Sequence, residues 1–137
     1  VSEKIGDKYL IPLLGVYDSF DEIDFEKLPK RFVIKCNHGS GWNMVVADKS
    51  KFDIMSAKKK FDMWMSRNFA FAIGCELHYR DIPPKIIIEE FVSNDGKALW
   101  DYKFWCFGGE VKYMQFRDDF SADLKMVFYD MDWKKSI

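Results

Sequence analysis

A chain of 137 residues with 48% apolar side chains carries enough hydrophobic surface for one ordinary domain. Its formal charge of -1 lacks the cationic surplus that releases counterions from phosphates, so DNA and RNA are not expected partners. No apolar stretch approaches the ~20 residues of a bilayer span, and no signal peptide opens the chain.

The chain starts at Val1 without a methionine, as expected of a piece excised from something longer. In YLIPLLGVYDSF the apolar residues are interrupted by Pro12 and Gly15, which predicts a short strand and a turn. An acidic connection, DEIDFEKLP, follows. Beyond Pro29, RFVIKC reads as a strand, and MVVAD over 44–48 as a second. The two are expected to pair as a hairpin across HGSGW, a loop slightly long for that job.

From Ser56 the period changes: Ala57, Phe61, Trp64, Met65 and Phe69 fall at helical spacing, which predicts an amphipathic helix of about four turns. At that spacing the Trp and Met stripe is core packing. FAIGCELHYRDIPP looks irregular, and KIIIEEFV is a strand of isoleucines that ends in Glu89 and Glu90. After SNDGK comes the hairpin WDYKFWCF-GG-EVKYMQF, with Gly108-Gly109 suited to a primed two-residue turn. That turn would set Asp101 and Lys103 on the face of Trp105 and Phe107, across from Met114 and Phe116.

The chemistry-bearing residues concentrate in KCNHGSGWN. Alternation in RFVIKC places Phe32, Ile34 and Cys36 on one face and Val33, Lys35 and Asn37 on the other. Lys35 is either a strand lysine whose amine snorkels to water or a cation for a bound anion. The neighbouring glycines favour the second, since loop amides can cradle anionic oxygens while a lysine balances their charge. The stretch lacks the GxxxxGK[ST] pattern of a P-loop. His38 sits inside the loop, whereas His78 suits a structural role. No Ser-His-Asp or Cys-His order surrounds either. The three cysteines, Cys36, Cys75 and Cys106, are widely spaced and form no CxxC pair, the pattern of reduced residues in a cytosolic protein. Glu89 and Glu90 must face opposite sides of their strand. Asp101 and Lys103 either pair with each other or, for Lys103, meet a phosphate. Asp118, Asp119 and Asp123 in RDDFSAD read as a polar loop rather than a metal site.

Taken in order, LPKRFVIKCNHGSGWN, HYRDIPPKIIIEEFV and DYKFWCFGGEVKYMQF resemble the TupA-like branch of the ATP-grasp family, enzymes of cell-surface polysaccharide biosynthesis. The likeness extends through PLLGVYDSFDEIDFEKLP and FYDMDW to nearly the whole chain. The resemblance implies an α+β, ATP-grasp-like fold of mainly antiparallel strands and hairpins with one or two helices, here an incomplete domain. Its glycine-loop hairpin and helix would occupy about 30–92, and a C-terminal subdomain would begin over about 93–137. It implies that Lys35 reaches the ATP phosphates and that Gly39, Ser40 and Gly41 cover them, with His38 in the same loop. Glu89, Glu90, Phe91 and Val92 would form a hinge that meets adenine and ribose, and Lys103 a second phosphate contact. Magnesium is expected with the ATP in a parent protein, its carboxylate ligands outside this chain and none assigned within it. The implied function is the nucleotide-binding core of a cytoplasmic, bacterial, carboxylate-activating ligase acting on a sugar acid or amino acid. The alternatives are a glycosyltransferase-like protein using a sugar nucleotide and a non-catalytic nucleotide-binding or interaction module. With half of a nucleotide site, the isolated chain is expected to hold little of the chemistry.

Overall fold

Strict alternation of buried and half-exposed residues marks two central strands, Phe32–Cys36 and Ile86–Glu90, as a sheet with one covered face. The computed structural model that displays them describes residues 2–72, 74–93, 99–118 and 125–136. Among these residues the architecture is α+β, with antiparallel sheets and two α-helices, as expected from the sequence. None of the described helices is long and apolar enough to cross a membrane. The chain divides into two units, Val1–Phe91 and Val92–Ile137.

In the first unit, helix α1 (Ser2–Ile5) and a 3-10 turn precede strand β1 (Leu13–Tyr17). The acidic connection forms two 3-10 turns, Phe20–Glu22 and Phe25–Lys27. Strands β2 (Phe32–Cys36), β3 (Asn43–Val46) and β4 (Ile86–Glu90) complete a sheet in the order β1-β4-β2-β3, every neighbour antiparallel. The expected hairpin is therefore present, with Lys35 opposite Asn43 and Phe32 opposite Val46.

Helix α2 (Ile54–Met65) lies between β3 and β4 in the chain, and its buried residues are Ala57 and Phe61. It begins two residues before Ser56, because Asp53 caps it by accepting from the Ser56 amide at 3.0 Å. It also ends earlier than its apolar spacing predicts. Asn68 caps a separate 3-10 turn, Phe69–Phe71, so Phe69 joins the packing from outside the helix. Phe20, Ile23, Leu28, Phe32, Ile34, Cys36, Val46, Ala57, Phe61, Ile86 and Ile88 form one buried cluster, with Trp64 and Met65 packed against it. Lys49 secures the margin of this core: its Nζ donates to the carbonyls of Phe25, Glu26 and Leu28 at 2.9, 3.2 and 2.7 Å.

The second unit is an antiparallel sheet of β5 (Asp101–Phe107), β6 (Glu110–Asp118) and β7 (Lys125–Asp130). Gly108 and Gly109 take φ of 59° and 83°, the positive values that a primed hairpin turn requires. The register beyond the turn differs from the one the glycines imply. A bulge at Trp105/Cys106 moves the pairing by one residue, so Asp101 and Lys103 face Arg117 and Gln115 instead of Phe116 and Met114. Met114 and Phe116 consequently stand opposite Phe104 and Tyr102, which gives this sheet an aromatic face.

Candidate nucleotide-phosphate site

The face of β2 and β4 turned away from the core carries Val33, Lys35, Ile87 and Glu89, all half-buried. In the antiparallel register Val33 stands opposite Glu89 and Lys35 opposite Ile87, which makes Lys35 and Glu89 diagonal neighbours. Their side chains meet at 2.6 Å, Lys35 Nζ to Glu89 Oε2, and are 37% and 18% exposed. An ammonium group has three donors. Among the described residues Glu89 is the recorded partner of Lys35, so donors remain for an incoming anion. Val16 of β1 and Val45 of β3 flank this pair in register with Ile87 and Val33, and both are exposed. The result is a lysine-carboxylate pair set in an apolar sheet surface.

The loop over residues 37–42 leaves β2 two residues beyond Lys35. It is closed at its base by the Cys36 amide, which donates to the Trp42 carbonyl at 2.9 Å. Gly39 is required by close packing: a Cβ there would lie 2.5 Å from the Trp42 ring. Gly41 has a φ of 73°, a region L side chains rarely adopt, and faces open space. Ser40 and Gly41 form the exposed tip, and their amides have no recorded hydrogen bond among the described residues.

His38 turns the other way. It is 2% exposed, its Nε2 lies 3.1 Å from the Trp64 carbonyl, and its ring meets Trp42 edge-on at 5.1 Å. Since a carbonyl only accepts, Nε2 donates to it, and among the described residues the buried Nδ1 has no hydrogen-bond partner. Trp42 in turn stacks on Trp64 at 6.3 Å and meets Phe69 edge-on at 5.1 Å. These aromatic contacts pin the loop to the end of α2 and leave its tip outside the cluster.

Glu90 lies on the opposite side of β4 from Glu89, in register with Phe32, and is exposed. Phe91 holds the Arg31 guanidinium over its ring at 4.0 Å. Val92 is exposed and opens the second unit. Lys103 belongs to that unit and pairs with Asp101 at 3.6 Å, the structural alternative recognised in the sequence. Cys36 is buried on the core face, its Sγ 3.9 Å from Met65 Sδ, and burial pushes its thiol up to about 12. It is not a nucleophile. His78 lies at the surface, 3.6 Å from Glu76. Asp119 and Asp123 fall outside the described residues, as does the side chain of Asp118.

The structure thus brings Lys35 and Glu89 together on one face of the sheet and sets the Gly39–Gly41 loop beyond the end of β2, with His38 packed against the end of α2. A half-buried cation, donor-rich amides and a carboxylate suited to hydroxyls fit a nucleotide polyphosphate and its sugar. Among the described residues no group of three or more His, Cys, Asp or Glu is placed to hold a metal ion. Two residues escaped functional assignment from sequence: Asn37, whose role depends on a segment far along the chain, and Trp42, whose ring dictates Gly39.

No curated protein and no solved structure matches the chain. The family model described as TupA-like ATPgrasp matches residues 1–137, the whole length, in agreement with the motif order; the chain belongs to the TupA-like ATP-grasp family.

Proposed function

We propose that the Val1–Phe91 unit binds ATP on the face of its four-stranded sheet turned away from the core. Lys35 and the amides of the Gly39–Gly41 loop take the phosphates, while Glu89 and Phe91 meet ribose and adenine; Glu90, expected from the sequence beside them, lies on the other side of β4. In this reading His38 supports the loop through its contact with the Trp64 carbonyl at the end of α2. The observation that carries the proposal is the Lys35–Glu89 pair, half-buried on an otherwise apolar face at the root of the glycine loop. On ligand binding the amine turns part of its donor capacity from carboxylate to phosphate, and the apolar surroundings strengthen that contact by lowering the local dielectric.

Members of the ATP-grasp family bind ATP with magnesium, which supplies charge neutralisation on the transferred phosphate. In this chain no step is assigned to it. The reading extends to a cytoplasmic bacterial ligase of surface polysaccharide assembly, in which ATP activates a sugar-acid or amino-acid carboxylate for attack by a nucleophile. It rests there on family membership.

Calorimetric titration of MgATP into wild type and Lys35→Ala tests the site. Loss of a charge-assisted hydrogen bond predicts affinity roughly ten- to a hundredfold weaker, with the fold intact. Unchanged affinity in a folded variant would return Lys35 to the solvated-strand role. Competition by a sugar nucleotide stronger than by ATP would favour glycosyl transfer over ligation.

A further inference from the structure

Strand β2 stops at Cys36, yet its hydrogen-bonding ladder with the β4 side does not. The Asn37 amide donates to the Lys85 carbonyl at 3.0 Å, continuing the register that pairs Cys36 with Ile86. In a regular antiparallel pair the Lys85 amide would answer by donating to the Asn37 main-chain carbonyl. It donates instead to Asn37 Oδ1, at 2.8 Å. One rung further, the same register would give the Pro83 carbonyl to the Gly39 amide. That place is taken by Asn37 Nδ2, at 3.1 Å. The return bond of this rung cannot form at all, because Pro83 has no N–H.

The side-chain amide of Asn37 therefore replaces two main-chain groups at once, an acceptor and a donor, and the backbone is released from the sheet where the loop begins. Asparagine suits the task because its carboxamide offers both functions in one plane. Aspartate would keep the acceptor and set a second oxygen against the Pro83 carbonyl. The Lys85 ammonium, on the same segment, is committed to Asp18.

We propose that Asn37 is the positioning residue of the phosphate loop: by standing in for the ladder partners of Lys85 and Pro83, it aims the loop's freed amides at the bound polyphosphate. The ligand half of this inference rests on the nucleotide reading above; the shaping of the loop does not.

The test compares wild type, Asn37→Ala, the near-isosteric Asn37→Asp, and the core variant Ile88→Val, which lowers stability without touching the loop. Hydrogen exchange without ligand is expected to run about tenfold faster at residues 38–42 in both Asn37 variants, beyond any change at 86–88, whereas Ile88→Val leaves that contrast as in wild type. MgATP affinity is expected to fall about tenfold in Asn37→Ala relative to Ile88→Val. Loop exchange equal to wild type in both Asn37 variants overturns the proposal. So does a loosened loop that binds MgATP with wild-type affinity. A wild-type chain that takes up no MgATP overturns the nucleotide reading instead, and the exchange comparison alone then decides the role of Asn37 in shaping the loop.

Discussion

Neighbouring residues of β2 show how far one step along a strand changes chemistry. Lys35 faces away from the core with its amine on Glu89, while Cys36 faces the core with its sulfur near Met65. Desolvation disfavours the thiolate and raises the Cys36 pKa from 9.0 to about 12. The native state then keeps a proton that the unfolded chain releases above pH 9.0, so raising the pH favours unfolding. This contribution to stability is complete below pH 9.0 and is lost as the pH rises through about 12. Denaturant titrations of wild type and Cys36→Ala across the alkaline range should show a steeper pH-dependent decline in wild type. Alkylation at pH 8 is expected to label exposed Cys75 and Cys106 while sparing Cys36, as peptide mass analysis would report. Rapid labelling of Cys36 in the native state would contradict its burial.

At the scale of elements, the glycine loop and the Phe25–Leu28 turn are held by different physics. The loop depends on ring packing. Adding the Gly39→Ala methyl would force Trp42 from its stack on Trp64, since the new carbon would lie 2.5 Å from the ring. Overpacking of this kind costs about 1 to 3 kcal/mol, and melting of Gly39→Ala should show it together with a change in near-ultraviolet dichroism. The turn depends on a cation. Lys49→Met keeps the aliphatic stem but abandons three carbonyls, so a loss of about 1 to 2 kcal/mol is expected in denaturant titration. A Lys49→Met variant as stable as wild type would show that water replaces the ammonium without cost.

On the scale of the whole molecule, the two units differ in how much they bury. The first holds the cluster around Phe32, Ile34, Phe61, Ile86 and Ile88, all fully buried. In the second, Met114 and Gln115 are the buried residues among those described, and Phe104, Trp105 and Phe107 are exposed. Stability scales with apolar surface removed from water, and a small sheet that buries few of its described side chains is weak. Native-state hydrogen exchange should therefore find the slowest amides in β2, β4 and α2, and faster opening in β5, β6 and β7. Equal protection in the two sheets would refute this ordering.

Local pattern by itself determined much of this protein. The two-residue alternation of FVIKC and KIIIEE, the helical spacing of Ala57, Phe61 and Trp64, and the double glycine of the last hairpin each express periodicities of the backbone. Such periodicities are written in neighbouring residues, and the ordered motifs also carried the family. Helix limits were less legible, because Asp53 caps the start of α2 and Asn68 starts a separate turn beyond its end, and apolar spacing does not register a cap. Only the tertiary structure decided that Glu89 lies beside Lys35, that Asn37 bonds to Pro83 and Lys85, and that His38 turns inward to Trp64. Each of these joins residues 26 to 54 positions apart, across a sheet register or a helix end. The bulge at Trp105/Cys106 belongs with them: one extra residue on β6 changes every partner beyond it, and a strand's own alternation is the same with or without it.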